Sequence, residues 1–290
     1  MAFLDRFKSL LPAGKMNVST RFALLREAIS GTMSKFYQAR DLRNDQIVGL
    51  KILDPVKTAA VEARLRGRNK PPEGEIAVLM KHPRIVKTFE HGVTTNDEHY
   101  LVMEFLEGAG INSVLVGDEE LLEGRQVRYI RQAAEALAAV HGAGYIHRDV
   151  CPRNLILTGE GDDLKLIDFG LTVPATEDFM LPGNRTGTPN YMAPELVRRR
   201  PTDQRLDVFA FGVTAYEICT HELPWMRGGD GMAAMTHDTP PADIRKYRPD
   251  INPVLAKAIH ACIEPDLEKR CPSMEKFLAM VHDVRRIDKK

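Results

Sequence analysis

Two acidic residues and one amide stand where they could hold a metal ion beside a reacting group. Asp149 lies in a loop that Pro152 keeps from becoming helical, and Asn154 follows a few positions later. The apolar stretch 164–167 predicts a strand that delivers Asp168 into a turn containing glycine. Carboxylate and amide oxygens are the ligands that a hard cation prefers. The pattern predicts a metal held by Asn154 and Asp168, with Asp149 placed to orient an attacking hydroxyl, as phosphoryl transfer requires.

Three motifs in order carry a resemblance to a known family. Residues 147–154 match the pattern HRDxxxxN, residues 168–170 are DFG, and residues 193–195 are APE. In this order they resemble the motifs of the eukaryotic-type protein kinases, over residues 21 to about 285. The resemblance implies ATP and Mg²⁺ as cofactors, Asp149 as the base, and Asn154 and Asp168 as the metal ligands.

The same resemblance implies contacts with the phosphates of ATP. Lys51 ends an apolar strand at the place where the family's lysine contacts the α- and β-phosphates. The carboxylate that orients this lysine falls on Glu73, with Glu75 as the alternative. The glycine pattern that covers the phosphates in the family falls on residues 29–36, where only Gly31 remains.

Other residues are expected around the adenine base. Phe36 stands where the family has a small valine and Gly49 where it has alanine, so we expect the two changes to compensate in volume. Met103 is expected at the back of the pocket, and the backbone of Glu104 and Leu106 is expected to hydrogen-bond adenine. The nucleotide-binding set implied by the resemblance is Gly31, Phe36, Gly49, Lys51, Met103, Glu104, Leu106 and Ile156.

Residues 187–195 resemble the segment that holds a peptide substrate in this family. Thr188 matches the threonine of serine/threonine kinases, whose hydroxyl bonds the catalytic aspartate. Glu195 is expected to form a buried ion pair with Arg270, and Asp207 is expected to anchor the catalytic loop from a helix. The resemblance therefore implies a protein substrate.

One position departs from the serine/threonine pattern. Cys151 stands where these kinases have a lysine that contacts the γ-phosphate. Arg153 matches an arginine of many tyrosine kinases and is expected to replace part of that contact, as a catalytic residue. Thr188 argues for serine/threonine specificity, which we favour. Cys151 itself is interpreted as a small filler in preference to a reactive thiol.

The elements that must position these residues change in type along the chain. Residues 22–29, 47–53 and 99–105 have short apolar patterns typical of strands, whereas helical periodicity dominates from residue 125 onward. Strands followed by helices predict an α+β protein of two lobes. We expect a small antiparallel sheet with one helix at 21–104 and a larger, mainly helical lobe at 105–285, after an amphipathic extension at 1–20.

Composition limits the classes of partner. Forty basic residues balance forty acidic ones among the 290, so no net field attracts nucleic acid. No apolar run is long enough to span a bilayer, and the early charges do not fit a signal peptide, so we expect a cytoplasmic protein. The four scattered cysteines are expected to be reduced. For residues 1–20, docking onto the chain's own domain is favoured over membrane contact.

Three functions remain to be weighed. The leading hypothesis is a serine/threonine protein kinase, because every polar group that the chemistry needs is present. The alternative is a pseudokinase, a scaffold with little or no phosphotransfer, which the reduced glycine pattern and Cys151 favour. A kinase for small molecules is disfavoured by the segment 187–195.

Overall fold

The structure is a computed structural model that describes residues 15–28, 33–64, 67–117, 119–159, 161, 163–182, 185–225 and 233–289. It divides into two compact units. The first consists of the described residues up to Gly67, together with Gly74–Leu79 and Lys87–Leu106. The second consists of Arg68–Glu73, Met80–Val86 and the described residues from Glu107 onward.

The first unit is built on an antiparallel sheet of five strands in the order β1-β2-β3-β5-β4. Its strands are β1 (Phe22–Ala28), β2 (Ser34–Asp41), β3 (Gln46–Leu53), β4 (Thr88–Val93) and β5 (His99–Glu104). Alternate residues of the central strands point to one face, where side chains such as Val48, Leu50 and Val102 form a core. The three strands predicted from the sequence are confirmed.

A short segment before β1 also packs on this sheet. Met16 is buried in the sheet core, and its N–H donates to the carbonyl of Val93 at 2.9 Å. A one-turn helix, α1 (Val18–Arg21), follows, and the side chain of Asn17 caps it. The packed region therefore begins before residue 21. Residues 1–14 of the amphipathic extension lie outside the described residues.

Two helices follow β3 in this half of the chain, where the sequence predicted one. α2 (Pro55–Ala63) begins with proline at its first position, and Asp54 accepts hydrogen bonds from the N–H groups of Val56 and Lys57. An aspartate cap followed by proline is a strong helix start, and that signal was overlooked. The expected helix is α3 (Glu73–Leu79), which starts directly after two prolines.

The second unit is mainly helical. Its longer helices are α5 (Gln126–Gly142), α8 (Arg205–Thr220) and α9 (Pro253–Cys262), which confirms the predicted periodicity. Almost every side chain of α8 is buried, so this helix is the centre of the unit. The shorter helices are α4 (Ile111–Gly117), α6 (Glu177–Met180), α7 (Pro194–Val197) and α10 (Met274–Met280).

Two small strand pairs carry the chemically interesting loops of this unit. β6 (Tyr145–Ile146) pairs with β9 (Val173–Pro174), and β7 (Leu155–Thr158) pairs with β8 (Asp163–Leu166). The loop 147–154 therefore runs from β6 to β7, and Asp168 follows β8 as predicted. The fold is the α+β class expected from the sequence.

Candidate active site

Asp207 of α8 fixes the backbone of the loop 147–154 through hydrogen bonds. Its carboxylate accepts hydrogen bonds from the N–H of His147 at 2.7 Å and of Arg148 at 2.8 Å. His141 of α5 donates from Nε2 to the same carboxylate at 2.9 Å. Burial alone would raise the pKa of Asp207, but the hydrogen bond from His141 and the neighbouring charges hold it below its usual range. The predicted anchor is present, with one additional partner.

The carboxylate of Asp149 is the meeting point of three side chains. The Thr188 hydroxyl donates to Oδ1 at 2.7 Å. Arg153 Nη2 and Asn154 Nδ2 donate to Oδ2 at 2.9 Å and 3.0 Å. Asp149 is buried, so these bonds hold its oxygens in a fixed orientation. The structure thus brings together four of the residues that the sequence singled out.

Gly187 is what allows Thr188 to reach this carboxylate. Its φ of 120° lies in the region that favours glycine, and an added Cβ would lie 2.7 Å from the carbonyl oxygen of Arg148. Any side chain at this position would therefore push residues 187–195 away from the loop 147–154.

The two expected metal ligands have the donor chemistry that Mg²⁺ needs. Asn154 Nδ2 donates to the carbonyl oxygen of Asp149 at 2.7 Å as well as to its carboxylate, so the amide oxygen is the atom left to face a cation. The backbone of Asn154 accepts from the N–H of Ile167 at 2.9 Å, which joins the loop to the residue before Asp168. Asp168 has a φ of 66°, and its Oδ1 accepts from the N–H of Gly170 at 3.1 Å.

No group of three or more His, Cys, Asp or Glu side chains in the described ranges could hold a metal by itself. Mg²⁺ commonly takes one or two protein ligands and completes its shell with phosphates and water. The side-chain oxygens of Asn154 and Asp168 are donors of the kind that fit such a cation.

Glu73 and Glu75 were the two candidates for the orienting carboxylate, and their environments differ. Glu73 is buried, whereas Glu75 is exposed. A Cβ built on Gly170 would lie 3.4 Å from Glu73 Oε2, so Glu73 reaches the turn that follows Asp168. Lys51, a residue of the first unit, is also buried. The pairing of Lys51 with Glu73 stays a prediction.

One face of the sheet in the first unit carries the expected adenine residues. Gly49 pairs with Met103 across β3 and β5, and Phe36 of β2 is opposite Lys51. A Cβ on Gly49 would lie 2.7 Å from Phe36 Cζ and 3.1 Å from Met103 Cγ. The ring of Phe36 therefore fills the space that an alanine methyl would need, which is the volume exchange inferred from the sequence.

The remaining nucleotide-binding residues are distributed over both units. Glu104 ends β5, and Leu106 lies two positions beyond it in irregular backbone. Ile156 is half-buried in β7 of the second unit, on the face opposite Leu155 and Leu157. Gly31 lies outside the described residues. Their roles toward adenine stay predictions.

Arg270 holds Glu195, the last residue of the segment 187–195. Its Nη1 and Nη2 donate to the two carboxylate oxygens of Glu195 at 2.7 Å and 2.9 Å, and both side chains are almost completely buried. The guanidinium also lies 4.9 Å from the centre of the Phe209 ring. The predicted ion pair is present in bidentate form.

Two further contacts of residues 187–195 were missed from the sequence. The Tyr191 hydroxyl donates to Glu217 of α8 at 2.5 Å, and His237 donates from Nδ1 to the carbonyl of Met192 at 2.7 Å. Burial lowers the pKa of His237. A glutamate in the mostly apolar second half of α8 was the available signal for the first contact, because buried carboxylates need partners. No local pattern indicates the second.

Cys151 and Arg153, the two unusual positions, have distinct surroundings. Cys151 is buried, and burial raises the pKa of its thiol to about 11, so it is a small filler and not a nucleophile. Burial lowers the pKa of Arg153, but the charge and hydrogen bond of Asp149 more than offset this and raise it above its ordinary value. The half-exposed guanidinium is an ion-pair partner of Asp149.

Comparison with known proteins assigns the chain to a family. A model of the protein kinase domain matches residues 25–281. The chain belongs to the protein kinase family. This kinase domain is 32% identical to the serine/threonine-protein kinase pkn3 of Myxococcus xanthus over 273 residues, which cover 89% of the chain and 49% of that protein.

Two other relatives are more distant. A hormonally up-regulated neu tumor-associated kinase homolog of Xenopus tropicalis is 29% identical over 254 residues, 86% of the chain and 35% of that protein. A probable serine/threonine-protein kinase of Clostridium acetobutylicum is 27% identical over 273 residues, 92% of the chain and 40% of that protein. The chain therefore spans half or less of the length of these relatives.

Within the described part of the chain, no helix combines the length and the hydropathy needed to cross a membrane.

Proposed function

We propose that this chain is a serine/threonine protein kinase that transfers the γ-phosphoryl group of ATP to a hydroxyl of a protein substrate. The observation that carries the proposal is the buried Asp149 carboxylate, on which Thr188 places its hydroxyl at 2.7 Å. Membership of the protein kinase family supports it, as do the two relatives whose names identify them as serine/threonine-protein kinases.

Asp149 is the base in this proposal. Its carboxylate accepts a hydrogen bond from the substrate hydroxyl and takes the proton as the oxygen–phosphorus bond forms and the bond between the β- and γ-phosphates breaks, releasing ADP. Asn154 and Arg153 fix the orientation of Oδ2, and Thr188 fixes Oδ1. Correct placement of the hydroxyl is the main contribution that the chain itself makes.

Asn154 and Asp168 would hold Mg²⁺ through side-chain oxygens. When bound, Mg²⁺ neutralises charge that develops on the phosphates. The resemblance to the family assigns Lys51 to the α- and β-phosphates and Glu73 to the orientation of Lys51. Arg153 supplies a positive charge toward the γ-phosphate in place of the lysine that Cys151 replaces. The contact of Arg153 with the γ-phosphate is less direct than that of a lysine at position 151. We therefore expect turnover to be slow.

The nucleotide is held by the residues that resemble those of the family. Phe36, Gly49 and Met103 contact adenine from the sheet of the first unit, and the backbone of Glu104 and Leu106 hydrogen-bonds its edge. The resemblance to the family assigns Ile156 to the other face of the base and Gly31 to the phosphates. A cytoplasmic location, with ATP and Mg²⁺ at hand, is part of the same proposal.

The test is transfer of label from γ-labelled ATP to a generic basic protein in the presence of Mg²⁺. Asp149→Asn is the inactive comparison, because it keeps the shape of the side chain and removes the base. Asp283→Asn is the matched control, since Asp283 is an exposed aspartate of the same unit. We expect label with wild type and Asp283→Asn, and a loss of at least 100-fold with Asp149→Asn.

The outcome also separates the alternatives. Equal label with wild type and Asp149→Asn, or none with either, rejects phosphotransfer and favours a scaffold. Phosphoamino-acid analysis of the product tests the specificity, since Thr188 predicts phosphoserine and phosphothreonine. Phosphotyrosine alone would contradict that part of the proposal.

A further inference from the structure

Two of the four cysteines lie against each other in the second unit. Cys262 is the last residue of α9, and Cys271 lies at the end of the loop that follows. Both are buried, and both are free thiols. Each thiol shifts the pKa of the other: Cys271 contributes to raising that of Cys262, and Cys262 lowers that of Cys271.

The backbone fixes this proximity independently of the side chains. The N–H of Cys271 donates to the carbonyl oxygen of Ala261 at 2.8 Å, and Ala261 is bonded directly to Cys262. Standard covalent geometry then keeps the two cysteine Cα atoms within about 7 Å, and disulfides join Cα atoms about 4.4–6.8 Å apart. The backbone therefore holds the two cysteines at a separation that a disulfide can span.

The pKa of Cys271 differs from those of the other three buried cysteines. Burial raises the pKa of Cys151 to about 11 and that of Cys219 to about 12. The interaction with Cys262 lowers the pKa of Cys271 to about 7, so Cys271 ionises more readily than the other buried thiols. Burial keeps Cys262 protonated by raising its pKa. Cys271 is therefore the more readily ionised thiol of the pair.

We propose that Cys262 and Cys271 form an oxidation site, which a hydroperoxide converts into an intramolecular disulfide. The Cys271 thiolate attacks one peroxide oxygen, the O–O bond breaks, and the other oxygen leaves as hydroxide and becomes water or alcohol. The Cys262 sulfur then attacks the Cys271 sulfenic acid, and the hydroxyl leaves with the Cys262 proton as water. The two thiols lose two electrons in total, which the peroxide gains.

The position of this site gives it a structural consequence. Cys271 directly follows Arg270, whose guanidinium holds Glu195. A disulfide closes the loop that carries Arg270 and restrains it. Oxidation at Cys271 therefore acts on the neighbouring Arg270, and through Arg270 on Glu195 of α7, the last residue of the segment 187–195.

The experiment maps thiols and does not depend on kinase activity. The purified full chain is treated with hydrogen peroxide under native conditions, denatured, and alkylated with N-ethylmaleimide before intact-mass analysis. We expect two of the four cysteines to escape alkylation until dithiothreitol is added. Trypsin cuts after Lys269 and Arg270, so peptides 258–269 and 271–276 are expected to run as one linked species.

Two variants test the assignment of roles. Cys262→Ser removes the resolving thiol, so Cys271 is expected to remain as a sulfenic acid that dimedone labels. Cys219→Ala is the matched control, because Cys219 is an equally buried thiol, and it is expected to give the linked peptide at the wild-type yield. Alkylation of all four thiols in treated wild type would overturn the proposal. A link to Cys219, a link between two chains, or sulfinic acid at Cys271 of wild type would do the same.

Discussion

Two buried arginines, one in each unit, perform similar chemistry in different surroundings. Arg270 holds Glu195 in the second unit, and neither side chain is more than 3% exposed. Arg21 holds Asp41 at 2.8 Å and Glu90 at 3.0 Å in the first unit, where the Glu90 side chain is 34% exposed. The first pair is fully removed from water and the second cluster is partly hydrated. Removing Arg270 should therefore lower the free energy of unfolding by more than removing Arg21.

The two arginine clusters also differ in how well the sequence predicts them. Glu195 of the pair in the second unit belongs to the APE motif, and the resemblance to the family indicates Arg270 as its partner. The cluster in the first unit connects α1, β2 and β4, and it also receives a hydrogen bond from the Tyr100 hydroxyl to Glu90 at 2.6 Å. No motif marks Arg21, so this cluster emerges only when the strands are paired.

The largest effect is expected from Arg270→Met. The substitution leaves Glu195 buried without its partner, which costs about 3–5 kcal/mol in the free energy of unfolding. Urea denaturation measures it. Arg245→Met is the control, because the Arg245–Asp243 pair is exposed and its loss should leave the stability almost unchanged. Equal losses in the two variants would contradict the prediction.

A smaller loss is expected from Arg21→Met. Water can reach Glu90 and replace part of the lost interaction, so we expect about 2–3 kcal/mol, measured in the same way. Arg26→Met is matched to it, because Arg26 is exposed on the neighbouring strand, and it should change the stability by less than about 0.5 kcal/mol. A loss larger than that of Arg270→Met would reverse the comparison.

Gly49→Ala tests the packing of the adenine face. The new methyl group meets the Phe36 ring, so we expect a loss of about 1–2 kcal/mol. In a Phe36→Val background the same change should cost almost nothing, because the ring is gone. Gly117→Ala is the control, since nothing lies within 4 Å of a Cβ there. Additive losses in the double variant would show that the two residues do not share this space.

The smallest effect is a dependence on pH. Burial raises the pKa of Asp41 and Glu90, but the hydrogen bonds from Arg21 outweigh it and lower both below their ordinary values of 3.8 and 4.5. A carboxylate with a lowered pKa in the folded state stabilises the protein above its unfolded pKa and loses this stabilisation as the pH falls.

We therefore expect the stability difference between wild type and Arg21→Met to be constant above about pH 5 and to shrink by about 1 kcal/mol toward pH 3. Urea denaturation at pH 7, 5, 4 and 3 measures it. A difference that grows as the solution is acidified would contradict the assignment.

Much of the second unit could be predicted because its motifs are continuous in sequence. The contacts of Asp149 with Thr188 and of Glu195 with Arg270 follow from residues that occupy recognised positions. His237 could not be predicted, because a histidine in a loop gives no sign that it will meet the carbonyl of Met192. In the first unit, α2 was missed although Asp54 and Pro55 mark its start.

The sequence by itself determined the kind of chemistry and the class of fold. The order of Asp149, Asn154 and Asp168 implies phosphoryl transfer, and strands followed by helices imply an α+β protein, because both are local patterns. Only the tertiary structure decided which of Glu73 and Glu75 is buried, that Phe36 fills the space above Gly49, and that Cys262 meets Cys271. Burial and contact between distant residues depend on how the elements pack, and no short stretch of sequence contains that information.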